Sequence, residues 1–220
     1  MTQIQARERA SVDDALAAVA NDLAGEFRLQ PLLEKILRSA VELLGCHSGS
    51  LCLIDQVSHT YRKEIYVDEG CQTGMVFSLE EGCTGAVARA GKPVIFERYG
   101  QVRNGHIRPD EPRYGRAVIG VPITVRTSMI GACIVFAATD EQRFGAADAQ
   151  LLQRFATHAA IAIANSRLHE EASERAKAAA VASERERSML EVHDSIGRGL
   201  ATVALRIAEA HAAVSHGEDP

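Results

Sequence analysis

Two adjacent residues near the end of the chain, His193 and Asp194, form a pairing with chemical potential. A carboxylate beside an imidazole can hold one ring proton and leave the other nitrogen free as base or nucleophile. The pair lies among apolar residues at helical spacing: Met189, Val192, Ile196, Leu200, Val203, Ile207, Ala210 and Val214. At ~100° per residue, His193 falls roughly 60° from the centre of that stripe, on the edge of the seam rather than inside it. An exposed helical His next to an Asp is also a common surface pair, so the spacing alone assigns no role.

A second set of reactive groups is spread through the middle of the chain. The five cysteines are Cys46, Cys52, Cys71, Cys83 and Cys133. Their odd number, wide spacing and lack of any C-x-x-C argue against a disulfide framework or a structural zinc site. Cys52 and Cys133 lie in apolar runs and read as small buried hydrophobes. Cys71 and Cys83 border turns, where a thiol suited to redox sensing or to ligand contact belongs. Arg98, Arg103, Arg108, Arg113 and Arg116 share one segment with His106. Guanidinium groups in that density either clamp an anion or decorate a solvated lid, partly neutralised by Glu97, Asp110 and Glu111. No set of His, Cys, Asp and Glu has the spacing of a metal site.

These groups must be positioned by a chain of 220 residues with 46% hydrophobic and 24% charged residues, an ordinary globular composition. The net charge of −5 offers no concentrated basic face, so nucleic acid is not expected as a partner. No apolar run approaches the ~20 residues of a membrane span, and the first ten residues lack a signal peptide's apolar core; a cytoplasmic location is expected.

The spacing predicts a helix over 11–24 and another from about Pro31 to Leu44, ended by Gly45. Short β-type runs follow at 49–54, 60–67 and 75–79, then a short helix over 82–90, a strand at 93–96 and a long loop over 97–116. Apolar strands at 117–125 and 129–137 flank a hairpin turn near Thr127 and Ser128. From Ala146 to Val214 the sequence has no proline and keeps helical spacing, the length of a coiled coil or bundle helix. Its single apolar stripe requires a partner, and a homodimer is the simplest.

Four segments in this order resemble the GAF sensory domain. They are residues 80–94 (EEGCTGAVARAGKPV), 119–123 (IGVPI) with 130–136 (IGACIVF), 144–156 (FGAADAQLLQRFA), and 162–168 (AIANSRL). The resemblance covers about 30–168. It implies an α+β fold, an antiparallel sheet flanked by helices, followed here by the long C-terminal helix. It divides the chain into an N-terminal helix (1–29), a sensory domain (30–168), a signalling helix (169–188) and a dimerisation segment (189–220). It also implies a pocket between the sheet and residues 82–116 for a small molecule that the sequence does not identify, with Cys71, Cys83, His106 and Arg113 as candidate contacts. Haem through His106, or an iron–sulfur cluster from Cys46, Cys52, Cys71 and Cys83, are alternative occupants. The family's cyclic-nucleotide signature is not found, and Cys83 is followed by Thr84 rather than the His of a bilin-attachment pair. Free methionine sulfoxide reductases carry a reactive Cys near the same glycines, but Cys83 is offset from that pattern.

Residues 184–210 (ERERSMLEVHDSIGRGLATVALRIAEA) resemble the phosphoacceptor helix of the nitrate-sensor class of histidine kinases. By this resemblance His193 accepts phosphate and Asp194 orients its ring. Arg198 stands where members with phosphatase activity usually have Gln. No Gly-rich nucleotide loop is present, so an ATP-binding domain is expected in trans or beyond this chain, and a response regulator as the receiver. The expected function is the sensory and phosphoacceptor part of a two-component kinase. The alternative is a dimeric ligand- or redox-binding regulator without phosphotransfer.

Overall fold

The structure, a computed structural model, describes residues 29–67 and 73–215; side chains at 190–192, 194–195, 197 and 209–215 are outside that description. The helix expected at 11–24 and Cys71 lie outside the described residues. The chain divides into two compact units, Met1–Arg167 and Leu168–Pro220.

In the first unit, α1 (Leu29–Leu43) leads into β1 (Ser48–Asp55), β2 (Thr60–Val67) and β3 (Val76–Ser78). Then come α2 (Gly82–Ala90), β4 (Val94–Phe96), β5 (Val118–Val125) and β6 (Ser128–Phe136). The helix α3 begins at Ala146 and runs as Ala146–Ser215. The strands form one antiparallel six-stranded sheet in the order β3-β2-β1-β6-β5-β4. Its central strands are buried on both faces, which is why β5 and β6 read as nearly continuous apolar runs rather than as alternating ones.

Alternation still sorts their side chains between two layers. Ile119, Val121, Ile123, Cys133 and Val135 face α1 and the start of α3, where Leu33, Leu37, Leu152, Phe155 and Ile163 close the larger core. Val118, Ala132, Ile134 and Phe136 face the other way, against Val87 of α2 and against Tyr99, Val102 and Ile107 of the segment that follows β4. A Cβ at Gly120 would stand 2.6 Å from Val87 Cγ2 and 2.8 Å from Ile134 Cδ1, so the absent side chain is what lets α2 lie so close to β5.

The segment 97–116 is more ordered than a plain loop. Two 3₁₀ turns, Tyr99–Gln101 and Pro112–Tyr114, fold it over the sheet. The buried Tyr99 ring anchors it, and the Tyr99 amide donates to Arg116 O at 2.8 Å. The composition offered no periodicity because single turns of 3₁₀ helix are too short to show one.

The second unit is the continuation of α3. Gly197 and Gly199 do not interrupt it. Arg175 pairs with Glu171 at 3.1 Å and Lys177 with Glu174 at 3.0 Å along its exposed surface. Met189, Ile196, Leu200, Val203 and Ile207 are exposed, Met189 by 75%. No described helix is long and apolar enough to cross a membrane.

Candidate functional site

On the α2 side of the sheet a small cavity is lined mainly by polar and aromatic groups: Tyr61, Lys63, Tyr66, Thr84, His106 and Arg113, with Cys83 in the same wall. Three of these come from β2, and simple alternation cannot put them there. Tyr61 and Lys63 share parity with Ile65, which faces the opposite core, and Tyr66 does not. The register explains it. Leu51 pairs with Ile65 but Cys52 pairs with Lys63, so Glu64 is an extra residue in β2. This β-bulge turns the strand over and brings Tyr66, Lys63 and Tyr61 onto one face.

Lys63 is 6% exposed. Its Nζ lies 3.5 Å from His106 Nε2, 5.1 Å from the Tyr66 ring centre and 5.0 Å from that of Phe77. The aromatic faces partly replace lost water around the ammonium. Burial nevertheless pushes its pKa down to about 8; the neighbouring Cys52 opposes the fall and Arg113 adds to it. His106 stacks on Phe77 at 4.4 Å and is locked at its other end: its amide donates to Tyr99 Oη at 3.1 Å, and its Nδ1 is 3.4 Å from the same oxygen. Burial, with a smaller contribution from Lys63, lowers its pKa to about 4, so the ring is neutral at neutral pH. An ammonium only donates. With Lys63 charged, Nε2 therefore accepts and the ring proton sits on Nδ1, directed at Tyr99.

Arg113 is the member of the arginine-rich segment that reaches this cavity. It donates to Tyr66 Oη and pairs with Glu111 at 3.0 Å. Arg98, Arg103 and Arg108 are exposed, and Arg108 lies 3.5 Å from Asp110. Arg116 lies 3.8 Å from Asp140. Most of the segment is thus a solvated surface, while one guanidinium turns inward.

The Tyr61 side chain is 1% exposed and its hydroxyl has no hydrogen-bond partner. Such an orphan inside a polar cavity is costly unless a bound molecule satisfies it. Gly82 holds the backbone that makes room. Its φ is +66°, and a Cβ there would come within 2.9 Å of both the His106 ring and Tyr61 Oη. The free space is about 20 Å³, the scale of a single water or little more.

The cysteines behave as small core residues. Cys46 belongs to the α1 side and Cys83 to the α2 side, so the described members of the proposed iron–sulfur set lie on opposite faces of the sheet. Among the described residues no group of three or more His, Cys, Asp or Glu is placed to hold a metal ion. Cys83 does line the cavity, but burial drives its thiol far above the ordinary range, which disfavours the thiolate that redox or nucleophilic chemistry needs. His106 and Arg113 reach the same cavity. Lys63, Tyr61 and Tyr66 were not singled out by sequence reasoning. The one available signal was a lysine in the middle of a strand that is otherwise mostly apolar on one side. In the second unit His193 stands exposed on α3, and Asp194 lies in the same helix with its side chain outside the description.

Comparison with known proteins agrees with this fold. A GAF domain family model matches residues 28–164. The GAF domain of a phosphoenolpyruvate-protein phosphotransferase from Coxiella burnetii superposes with a TM-score of 0.63 at 18% identity, over 74% of this chain and 98% of that one. Free methionine-R-sulfoxide reductase from Neisseria meningitidis, in complex with its substrate, gives 0.60 at 18% identity over 77% and 95%. The GAF domain of a protein assigned to the sensor histidine kinases of Pseudomonas syringae pv. tomato gives 0.55 at 16% identity over 78% and 97%. At these identities the structures speak for the fold alone, whereas the family model spans more than half of the sequence: the chain belongs to the GAF domain family.

Proposed function

We propose that this chain is the sensory and phosphoacceptor part of a two-component sensor histidine kinase. The GAF pocket takes a small molecule, the helix beyond it pairs with a second copy, and His193 accepts a phosphoryl group for transfer to a response regulator. The observation that carries this reading is an exposed imidazole beside a row of exposed apolar side chains on one uninterrupted helix. A lone helix bearing such a row is not stable by itself in water; packing against a partner supplies the missing burial. A histidine on the rim of the resulting seam stays reachable, and its free nitrogen can attack phosphorus. Asp194, next in sequence, is assigned the orienting role. The GAF domain of the Pseudomonas protein is in keeping with this context. Ligand control fits the same arrangement, because an alanine-rich stalk packs with little specificity and two registers can lie close in energy.

The test uses the full chain with a separately purified histidine-kinase ATP-binding domain and ATP labelled on its γ-phosphate. Acid-labile label on the wild type that vanishes in His193→Gln is the expected result. A wild-type chain that stays unlabelled while the kinase domain labels its own phosphoacceptor helix overturns phosphotransfer and leaves a dimeric ligand-binding regulator. Labelling that survives His193→Gln overturns the assignment of the residue.

A further inference from the structure

If the α2-side cavity is the sensory site, the reading on which this inference rests, one of its walls must move. Its free space of about 20 Å³ is the scale of a single water, so a small organic molecule enters only when part of the lining gives way. The sheet and α2 are held by core packing. The 97–116 segment supplies the rest of the wall through Tyr99, His106, Ile107 and Arg113.

The two halves of that segment are fixed differently. In the first half, Tyr99, Val102 and Ile107 are buried in the apolar layer with α2. Its backbone is tied to α2 itself, where the Gly82 amide donates to Asn104 O at 3.0 Å. His106 is held by Phe77 and Tyr99. Residues 108–115, by contrast, have no buried member. Among the described residues, their backbone bonds run within the same stretch and its end post. The Glu111 amide donates to Arg108 O at 3.0 Å, Tyr114 to Glu111 O at 2.9 Å and Arg116 to Arg113 O at 3.2 Å. The Arg108 amide also donates to Glu111 Oε1 at 3.3 Å. Pro109 and Pro112 bring no amide proton and keep φ fixed. A stretch bonded to itself can leave the surface beneath it without breaking its backbone bonds. Both ends are anchored. Ile107 is buried, Arg116 O accepts from the Tyr99 amide at 2.8 Å, and Ala117 O accepts from the Ala137 amide at 2.9 Å. Side-chain contacts hold the middle down. Arg113 donates to Tyr66 Oη with its guanidinium carbon 5.8 Å from that ring's centre, and the Tyr114 ring lies over Gly100, 2.7 Å from where a Cβ would stand.

We propose that residues 108–115 form a flap over the sensory cavity, hinged beside Ile107 and Arg116 and latched by Arg113 on Tyr66, which opens to admit a ligand while 99–107 stays docked. Opening this stretch breaks part-buried contacts and no core packing, so it belongs to the low end of the molecule's local stabilities. Withdrawal of Arg113 removes one wall of the cavity that Cys83 also lines, so small solutes reach that thiol through the open flap.

The experiment follows amide hydrogen exchange of the full chain by mass spectrometry. In parallel it maps alkylation of Cys83 by iodoacetamide, with Cys133, buried in the opposite layer, as the control. The amides of 108–115 should be at least about tenfold less protected than the bonded amides of 99–107. Tyr66→Phe keeps the ring and removes the hydroxyl that the latch donates to. It should speed exchange of 108–115 and alkylation of Cys83 about three- to tenfold, with 99–107 and Cys133 unchanged. Gly115→Ala should act the other way. Gly115 has φ −82° and a Cβ there meets nothing within 4 Å, so the added methyl restrains the open flap more than the closed one, and about two- to fivefold slowing is expected. Protection of 108–115 equal to that of 99–107, both halves speeding together in Tyr66→Phe, exchange unchanged in both variants, or Cys83 alkylation that does not follow the exchange of 108–115 overturns the flap. Phosphotransfer is read separately. A chain labelled at His193 whose flap fails these tests loses only this inference; one whose flap opens but which accepts no label loses only the kinase reading.

Discussion

The two faces of the sheet solve different problems with one set of strands. Toward α1 and α3, the interior is almost entirely aliphatic, with Leu33, Leu37, Val121, Leu152 and Phe155 fully covered. Toward α2 and the 97–116 segment, the same strands border a lysine, an arginine, a histidine and an orphaned phenol. Close packing of apolar groups lowers free energy without needing a ligand. Burying cations and an unpaired hydroxyl raises it. The helical face therefore holds the domain together, and the opposite face buries polar groups at a cost in stability.

That contrast can be broken first on the apolar side. Phe155→Ala should cost about 3–5 kcal/mol in chemical denaturation, since it opens a cavity in a fully buried layer. A loss below ~1 kcal/mol would mean that this face is not the stabilising one. On the pocket side, His106 should make stability depend on acid. Its folded pKa of about 4 is below the ordinary 6.5, so the unfolded chain binds the extra proton between those values. The contribution is complete above pH 6.5 and is lost as pH falls toward 4, by up to about 3 kcal/mol. Replacing His106 by Phe should flatten the stability profile in that window, measured by urea melts at stepped pH.

The close approach of α2 to β5 predicts that Gly120→Ala destabilises by about 1–3 kcal/mol, because the new methyl group meets Val87, Ile134 and Cys83. Lys63→Met should instead leave stability unchanged or raise it by about 1–2 kcal/mol at pH 7. The lysine's folded pKa of about 8 lies below 10.5, so its charge is a burden to the folded state at neutral pH and is shed between those values. The advantage of Lys63→Met over the wild type should accordingly shrink as pH rises from 8 toward 10.5. An advantage that grows would reverse the assignment. The smallest effect belongs to the solvated arginines: Arg108→Gln should change stability by less than about 0.5 kcal/mol in the same urea melts.

Much of the fold was legible because its signals are local. Gly45 marked the end of a helix, and it has a positive φ. The apolar runs at 117–125 and 129–137 read as strands, observed at 118–125 and 128–136, because both of their faces are buried. The helix from Ala146 onward declared itself by spacing and by the lack of proline. Half of the pocket was legible too. His106 and Arg113 stood out by residue type in a segment without periodicity, and Cys83 by its place among glycines. The thiols were harder to judge, since a cysteine at a turn in sequence can still be buried in space, as Cys83 is.

Composition and periodicity by themselves determined the order of elements and the apolar stripe on the last helix that His193 borders. The cationic centre of the pocket was decided only by tertiary structure. Lys63 reaches it because pairing with β1 leaves Glu64 unmatched and flips the strand. Whether a strand bulges depends on its neighbour's register, a property of two segments together that neither sequence contains alone.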